Sequence, residues 1–259
     1  MLEVLPLSSG SQGNATLVRS ATTALLIDAG LTRKEMLSRL ATVQQDPAGI
    51  TGLLLTHRHK DHCRAAPTLC RRFKIPLHAT ARTAEHQQPQ TLPEIREFDP
   101  GGGLEIGDLR IEALTLSHDA PDTQAFVIEH ATGGQRVGIA TDLGCSDEGV
   151  HGFLQDLDAL LLEFNYDPSM LQEGPYPAFL KQRIDSSEGH LSNLQSATLL
   201  REVISPRLGT LYLCHLSQHN NSPDLALESA RSILAETAGA RTEIRIAWQD
   251  RVSLPQRLG

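Results

Sequence analysis

The densest chemistry in the sequence lies in Thr56-His57-Arg58-His59-Lys60-Asp61-His62. Three imidazoles and a carboxylate within six residues suit a borderline divalent metal such as zinc. His57 and His59 stand two apart, so in an extended segment their side chains point the same way. Asp61 and His62 fall on the turn into a following helix and approach from another side. This segment could therefore serve two adjacent metals. Such a segment rarely completes a dinuclear site, and further ligands are expected at strand ends, where a rigid scaffold meets a loop. His118, Asp142 and His215 each close an apolar run. Cys214 adjoins His215 but faces the opposite way on a strand, so it reads as a small buried residue. Cys63 likewise reads as packing.

The elements that must position these residues alternate short aliphatic runs with helical patterns, which argues for α/β or α+β organisation. Strands are expected at residues 2–7, 15–19, 24–28, 52–56, 109–117, 124–130, 136–142, 159–164, 210–215 and 243–248. Ala131-Thr132-Gly133-Gly134 is a hairpin signal between two of them. Helices are expected at 32–40, 65–73, 192–204 and 222–236. Thr32 with Glu35, and Ser192 with Gln195, make capping-box patterns, and Ser222-Pro223 reads as an N-cap followed by proline at the first helical position. The pattern suits two mixed sheets packed face to face with helices outside, an arrangement that periodicity alone leaves open.

The 259 residues are 40% hydrophobic and 21% charged, ordinary globular values that exclude disorder and coiled coil. No linker divides the chain, so a single domain over residues 1–259 is expected. No apolar stretch approaches a membrane span. The first residues carry Glu3 and no basic stretch, unlike a signal peptide. Four cysteines without a C-x-x-C pair fit a reducing cytoplasm. The formal net charge of −8 argues against a protein coating nucleic acid. Against that background, Arg58, Lys60, Arg64, Arg71, Arg72 and Lys74 form a local basic run that could face an anionic polymer. Aromatic residues make up only 4% of the chain, and no stacking platform for bases is evident.

The H-x-H-x-D-H motif, followed in order by His118, Asp142 and His215, resembles the metallo-β-lactamase superfamily. The resemblance covers nearly the whole chain and implies an αββα sandwich with metals along the edge between the sheets. Carried over, His57, His59 and His118 would hold one metal, and Asp61, His62 and His215 a second, with Asp142 bridging. Aspartate at that position is typical of phosphodiesterase and thioesterase branches and speaks against β-lactam hydrolysis. Several strings narrow the group: Ser8-Ser9-Gly10-Ser11-Gln12-Gly13-Asn14, Ser117-His118-Asp119-Ala120, Thr141-Asp142-Leu143-Gly144, Leu162-Glu163-Phe164-Asn165, Tyr176-Pro177 with Leu180-Lys181-Gln182-Arg183-Ile184, Gly189-His190-Leu191-Ser192-Asn193, and His215-Leu216-Ser217-Gln218-His219-Asn220-Asn221. Together they resemble the YycJ/VicX/WalJ group, regarded as nuclease-like and similar to ribonuclease Z and to the cyclic phosphodiesterase of phosphonate breakdown. Gln12 departs from that group's usual lysine and His219 from its usual acid; Cys145 stands where an aromatic is common.

The implied chemistry is attack on phosphorus by a hydroxide bridging two divalent metals (zinc or manganese, with iron also compatible), which also polarise a phosphoryl oxygen. Asp61 could accept a hydrogen bond from the nucleophile. The leaving alkoxide needs a proton nearby, and His190 is the candidate, since it precedes the Ser192 cap and the positive end of a helix. Ser11 and Asn14, in the Gly/Ser-rich loop, and Asn165, Ser192 and Asn220 are candidate substrate contacts. The leading expectation is a metal-dependent phosphodiesterase acting on nucleic acid, an anionic phosphodiester, as an exonuclease on double-stranded DNA. A small-molecule phosphodiesterase or glyoxalase-like thioesterase, and a non-catalytic regulatory module, are the alternatives.

Overall fold

The computed structural model of the protein describes residues 1–237 and 241–259. Strands β1 (Leu2–Ser8), β2 (Ala15–Arg19), β3 (Ala24–Ile27), β4 (Gly52–Leu54), β5 (Leu77–Ala79) and β6 (Ile95–Glu97) come first. Then follow β7 (Gly103–Ile106), β8 (Leu109–Thr115), β9 (Gln124–His130), β10 (Arg136–Ala140), β11 (Ala159–Glu163), β12 (Thr210–Cys214), β13 (Glu243–Ile246) and β14 (Gln256–Leu258). One sheet has the order β14-β1-β2-β3-β4-β5-β6 and the other β13-β12-β11-β10-β9-β8-β7. Both are mixed. β3 to β6 run parallel, as do β10 to β13, and the outer pairs are antiparallel. The foreseen hairpin joins β9 to β10, with Arg136 opposite Glu129.

Helices cover both outer faces: α1 (Arg33–Thr42), α2 (Lys60–Cys63), α3 (Ala66–Phe73), α4 (Ala81–Glu85), α5 (Glu148–Phe153), α6 (Pro168–Glu173), α7 (Ala178–Ile184), α8 (Asn193–Val203) and α9 (Pro223–Glu236). Alternation along each strand assigns side chains to layers. Leu25, Ile27, Leu161, Tyr212 and Cys214 meet between the sheets. Leu26 turns outward with Met36 and Leu40 of α1 and Leu69 of α3. Leu160, Leu162, Leu211 and Leu213 turn outward with Leu199 and Leu200 of α8 and Ala230 of α9. The result is an αββα sandwich. Because its central strands are covered on both faces, they read as continuous apolar runs. No helix among the described residues is long and apolar enough to cross a membrane.

Several strands stop short of where alternation alone would carry them. β3, β10 and β12 end at Ile27, Ala140 and Cys214, before Asp28, Asp142 and His215. The cause is the backbone: Asp28 (φ 61°), Asp142 (φ 61°) and His215 (φ 54°) are left-handed. Aspartate and histidine adopt this conformation more readily than most residues, and it is concentrated at functional sites. β4 and β8 likewise yield to loops before Thr56 and Ser117. The helix expected at 65–73 is preceded by a separate one-turn helix, α2, which carries Asp61 and His62.

A close backbone approach fixes that short helix. Asn14 N–H donates to Asp61 O at 2.7 Å, Gly30 N–H to Asn14 O at 2.9 Å, and Ala29 N–H to His62 O at 2.7 Å. A Cβ on Gly30 would lie 1.6 Å from Asp61 O. Gly30→Ala must therefore push α2 away from β3. We expect a loss of about 3 kcal/mol, the upper end of overpacking costs, in urea unfolding, together with weakened metal binding.

Candidate metal centre

The candidate metal ligands singled out in the sequence converge at the C-terminal ends of strands from both sheets, most of them parallel strands, where open α/β sheets bind their ligands. β4 leads to His57 and His59, β8 to His118, β10 to Asp142 and β12 to His215. His57, His59 and His118 each present one ligand atom within 4.8 Å of the others, and so do Asp61, His62 and His215. Asp142 faces both sets: its Oδ2 is 3.0 Å from His62 Nε2, and its Oδ1 is 4.0 Å from His118 Nε2. The imidazoles of His57 and His59, two apart in sequence, have centroids 4.7 Å apart.

Four of the five imidazoles have their outer nitrogen hydrogen-bonded. His62 Nδ1 donates to Asp28 Oδ2 at 2.7 Å, and His215 Nδ1 to Glu163 Oε1 at 3.0 Å. His118 Nδ1 donates to Gly189 O at 3.0 Å. The Thr56 hydroxyl donates to Asp28 Oδ2, so at 3.0 Å it accepts from His57 Nδ1. His59 Nε2 faces Asp119 Oδ1 at 3.4 Å. The hydrogen bonds fix the tautomers of His57, His62, His118 and His215 and leave their Nε2 atoms as inward lone pairs, with His59 Nδ1 facing the same space.

The donor set fits a divalent cation. His57 Nε2, His215 Nε2 and Asp142 Oδ2 are buried without a hydrogen-bond partner, a costly arrangement unless something binds there. The gaps between inward atoms are 3.4 Å for His59 and His118, 3.6 Å for Asp61 and His62, and 3.8 Å for Asp61 and His215. Bonds of about 2.0–2.2 Å in a tetrahedral site place neighbouring ligand atoms roughly 3.3–3.6 Å apart. A further group, Asp142 with Glu163, His190 and His215, is accounted for by hydrogen bonding, since Glu163 holds the Nδ1 atoms of both rings.

Burial works against charge on these groups, and neighbours reverse it where an opposite charge is close. Burial would raise the Asp142 carboxyl, but His215 and His62 hold it well below the usual carboxylate range. Burial, reinforced by His62, pushes His57 well below the ordinary histidine value and keeps it neutral. For His190 burial lowers the value, but the Glu163 carboxylate more than offsets it and raises it.

Glu163 is the residue that sequence reasoning passed over, although its string was quoted. It is fully buried. Its carboxylate accepts from His190 Nδ1 at 2.8 Å and His215 Nδ1 at 3.0 Å. It also accepts from the backbone N–H of Asp142 at 3.3 Å, Leu143 at 3.1 Å and Leu191 at 3.0 Å. Asp28 was missed too. The available signal was the same for both: a carboxylate closing an apolar run.

A cleft of about 280 Å³ opens over the centre, lined by Ser11, His59, Asp61, Asp142, Asn165, Arg183, His190 and His215 among others. It adjoins a wider cleft of about 630 Å³ that shares Ser11 and Asp61 and carries Lys60 and Arg64. Ser11 and Asn165 reach the cleft, and Asn165 Nδ2 also donates to His215 O at 2.9 Å. The other three expected substrate contacts do not line it. Asn14 is buried, its amide oxygen accepting from Gly10 N–H and its nitrogen 2.9 Å from His62 Nε2, the inward atom of that ring. Ser192 is committed to capping α8. Asn220 is fully buried against Gly174. The basic run also divides: Lys60 and Arg64 reach the wider cleft, whereas Arg71 is bound to Thr91 and Lys74 caps α3. Tyr176 also lines the metal cleft.

Residues 23–215 match the beta-lactamase superfamily domain. The chain is 31% identical over 234 residues to exodeoxyribonuclease YycJ of Bacillus anthracis, covering 89% of this chain and 88% of that one. It is 33% identical over 226 residues to exodeoxyribonuclease WalJ of Streptococcus pneumoniae, covering 85% and 83%. The metallo-beta-lactamase fold protein YhfI from Bacillus subtilis shares the fold, with a TM-score of 0.75 at 20% identity over 98% of this chain and 99% of that one.

Two outcomes follow from the geometry. Asp142→Ala is expected to lower bound metal, measured by elemental analysis of purified protein; full wild-type occupancy would overturn the bridging position. Glu163→Gln, which replaces an all-acceptor group with one that also donates, is expected to weaken metal affinity by about 10–100-fold in chelator competition.

Proposed function

Since the chain belongs to the beta-lactamase superfamily, we propose that it is a metal-dependent phosphodiesterase that removes nucleotides from an end of DNA. The observation that carries this reading is the meeting of two ligand triads at Asp142 beneath a cleft that His190 also lines. The names of the YycJ and WalJ relatives supply the substrate class. Two divalent ions (zinc, manganese or iron) would be held by His57, His59 and His118 and by Asp61, His62 and His215, with Asp142 shared. Both sheets contribute ligands, which supports reading residues 1–259 as one domain. The free thiols of Cys63, Cys70, Cys145 and Cys214 support a reducing, cytoplasmic setting.

When bound, the ions supply Lewis-acid polarisation of the phosphoryl oxygens and an acidified water for the attack. The chain's own residues do the rest. The Asp61 side chain is 26% exposed and reaches the cleft, where it accepts the hydrogen bond that orients the attacking water. As the phosphorus–oxygen bond breaks, the leaving alkoxide takes a proton from His190. Glu163 fixes that ring through Nδ1 and favours its charged form, so that Nε2–H is the donor. Ser11 and Asn165, which both line the cleft, present polar groups to the substrate.

The test is digestion of an end-labelled linear duplex by manganese- or zinc-loaded protein. Progressive loss from one end, absent in Asp142→Ala, is expected. His190→Ala should retain its metal and turn over about 100-fold or more slowly; an unchanged rate would remove His190 from the mechanism. An intact duplex with metal bound would overturn the nuclease reading in favour of a small phosphodiester or thioester substrate.

A further inference from the structure

The segment 176–184 has no part in the metal centre, yet it forms one wall of the cleft. Tyr176, Leu180, Arg183 and Ile184 line it. α7 buries none of its side chains, and Phe179 at 71% exposure stands beside this wall. A helix that contributes nothing to the core but faces the site is placed for contact with something other than the protein.

Its attachment to the site is nevertheless rigid. His190 N–H donates to Ile184 O at 2.9 Å. A Cβ on Gly189 would lie 2.2 Å from Ile184 O and 2.3 Å from Arg183 O, so the end of α7 and the His190 loop are in backbone contact. Ser117 Oγ donates to Ser187 O at 2.7 Å, tying the same loop to the residue before His118. Arg183 therefore holds a defined position relative to His118 and His190.

Among the described residues lining this cleft, Arg183 is the only lysine or arginine. Its Nε donates to Asp119 Oδ2 at 2.5 Å, and its Nη2 pairs with the same oxygen. The other oxygen of Asp119 faces His59 Nε2 at 3.4 Å and His118 Nε2 at 3.3 Å. One carboxylate thus touches both the ligand set and the arginine. The fork spends only part of its donors on Asp119, and the side chain remains 61% exposed. An exposed ion pair of this kind stabilises a fold little. A pre-positioned guanidinium with free N–H groups is, however, suited to a phosphate diester oxygen.

We infer that Arg183 is a substrate-recognition residue that holds a non-scissile phosphate of the nucleic acid, positioned by Asp119, with Tyr176 and Leu180 facing the adjoining nucleoside. The inference rests on the proposed nuclease reading and adds to it the side of the centre on which the neighbouring nucleotide lies. The narrower cleft beneath α7 takes that nucleotide, and the wider cleft with Lys60 and Arg64 takes the chain on the other side. A mononucleotide-like diester lacks the second phosphate and so cannot use Arg183.

The experiment compares Arg183→Ala and Arg183→Lys with the parent enzyme on two substrates, duplex DNA and bis(p-nitrophenyl) phosphate. Metal content is verified for each protein. Arg183→Ala is expected to lose at least ten-fold more kcat/KM on DNA than on the small diester, mainly through KM, with Arg183→Lys intermediate. Binding to a nuclease-resistant phosphorothioate duplex should show a salt dependence shallower by about one in log–log slope. Equal losses on both substrates, or an unchanged salt slope, would overturn the assignment. If the parent enzyme neither binds nor degrades DNA, the nuclease reading itself fails, which is a distinct result.

Discussion

The site depends on one buried carboxylate. Glu163 sits at the end of β11 with no exposed surface, and five N–H groups from three segments point at it. The backbone donors hold the start of the Asp142 loop and the approach to α8. The ring donors hold His190 and His215. A buried carboxylate with that many donors is well satisfied, and burial alone would otherwise push it towards neutrality. Here burial is opposed first by His190, and the group is held at about 2. Its charge then sets the orientation of two imidazoles at once. Asp28 does the same work on the other sheet, bracing Thr56 and fixing His62.

The sandwich supplies what these carboxylates need. Parallel neighbours β3 and β4 in one sheet, and β10, β11 and β12 in the other, end on the same edge of the molecule. The apolar layer between the sheets holds those edges together. Left-handed turns at Asp28, Asp142 and His215 release the side chains from strand alternation. The strain they carry is borne by strands buried on both faces, which cannot easily shift to relieve it. The rigidity of the frame and the precision of the ligand set are thus one property viewed from two sides.

Around this frame the cleft is asymmetric. On one flank α2 contributes Asp61 and His62 to the centre and Lys60 to the wider cleft. On the other, α7 contributes no ligand but is bound to the loop carrying His190. The candidate ligands lie on the buried edge, while the cleft walls are built from short surface helices. Such a division lets substrate preference change without disturbing the ligands.

How much was legible in the sequence follows from the range of the interactions. The candidate ligands were legible because each closes an apolar run or sits in the dense 57–62 segment, and both patterns are local. The layered sheets were legible as continuous apolar runs, and the caps of α1, α8 and α9 from three-residue spacings. Short strands such as β5, β6 and β14 were not, because three residues carry no usable periodicity. Asn14, Ser192 and Asn220 looked like polar residues free for substrate, yet hydrogen bonds claim Asn14, a helix cap claims Ser192, and Asn220 is fully buried away from the cleft. The sequence by itself determined which residue types could bind metal and that strands would deliver them to loop junctions. Only the tertiary structure decided which carboxylate holds which ring, where the arginine of α7 lies, and which polar groups remain free. Hydrogen bonds such as Glu163 to His215 and Asp119 to Arg183 join residues 52 and 64 positions apart, and no local pattern encodes a partner at that distance.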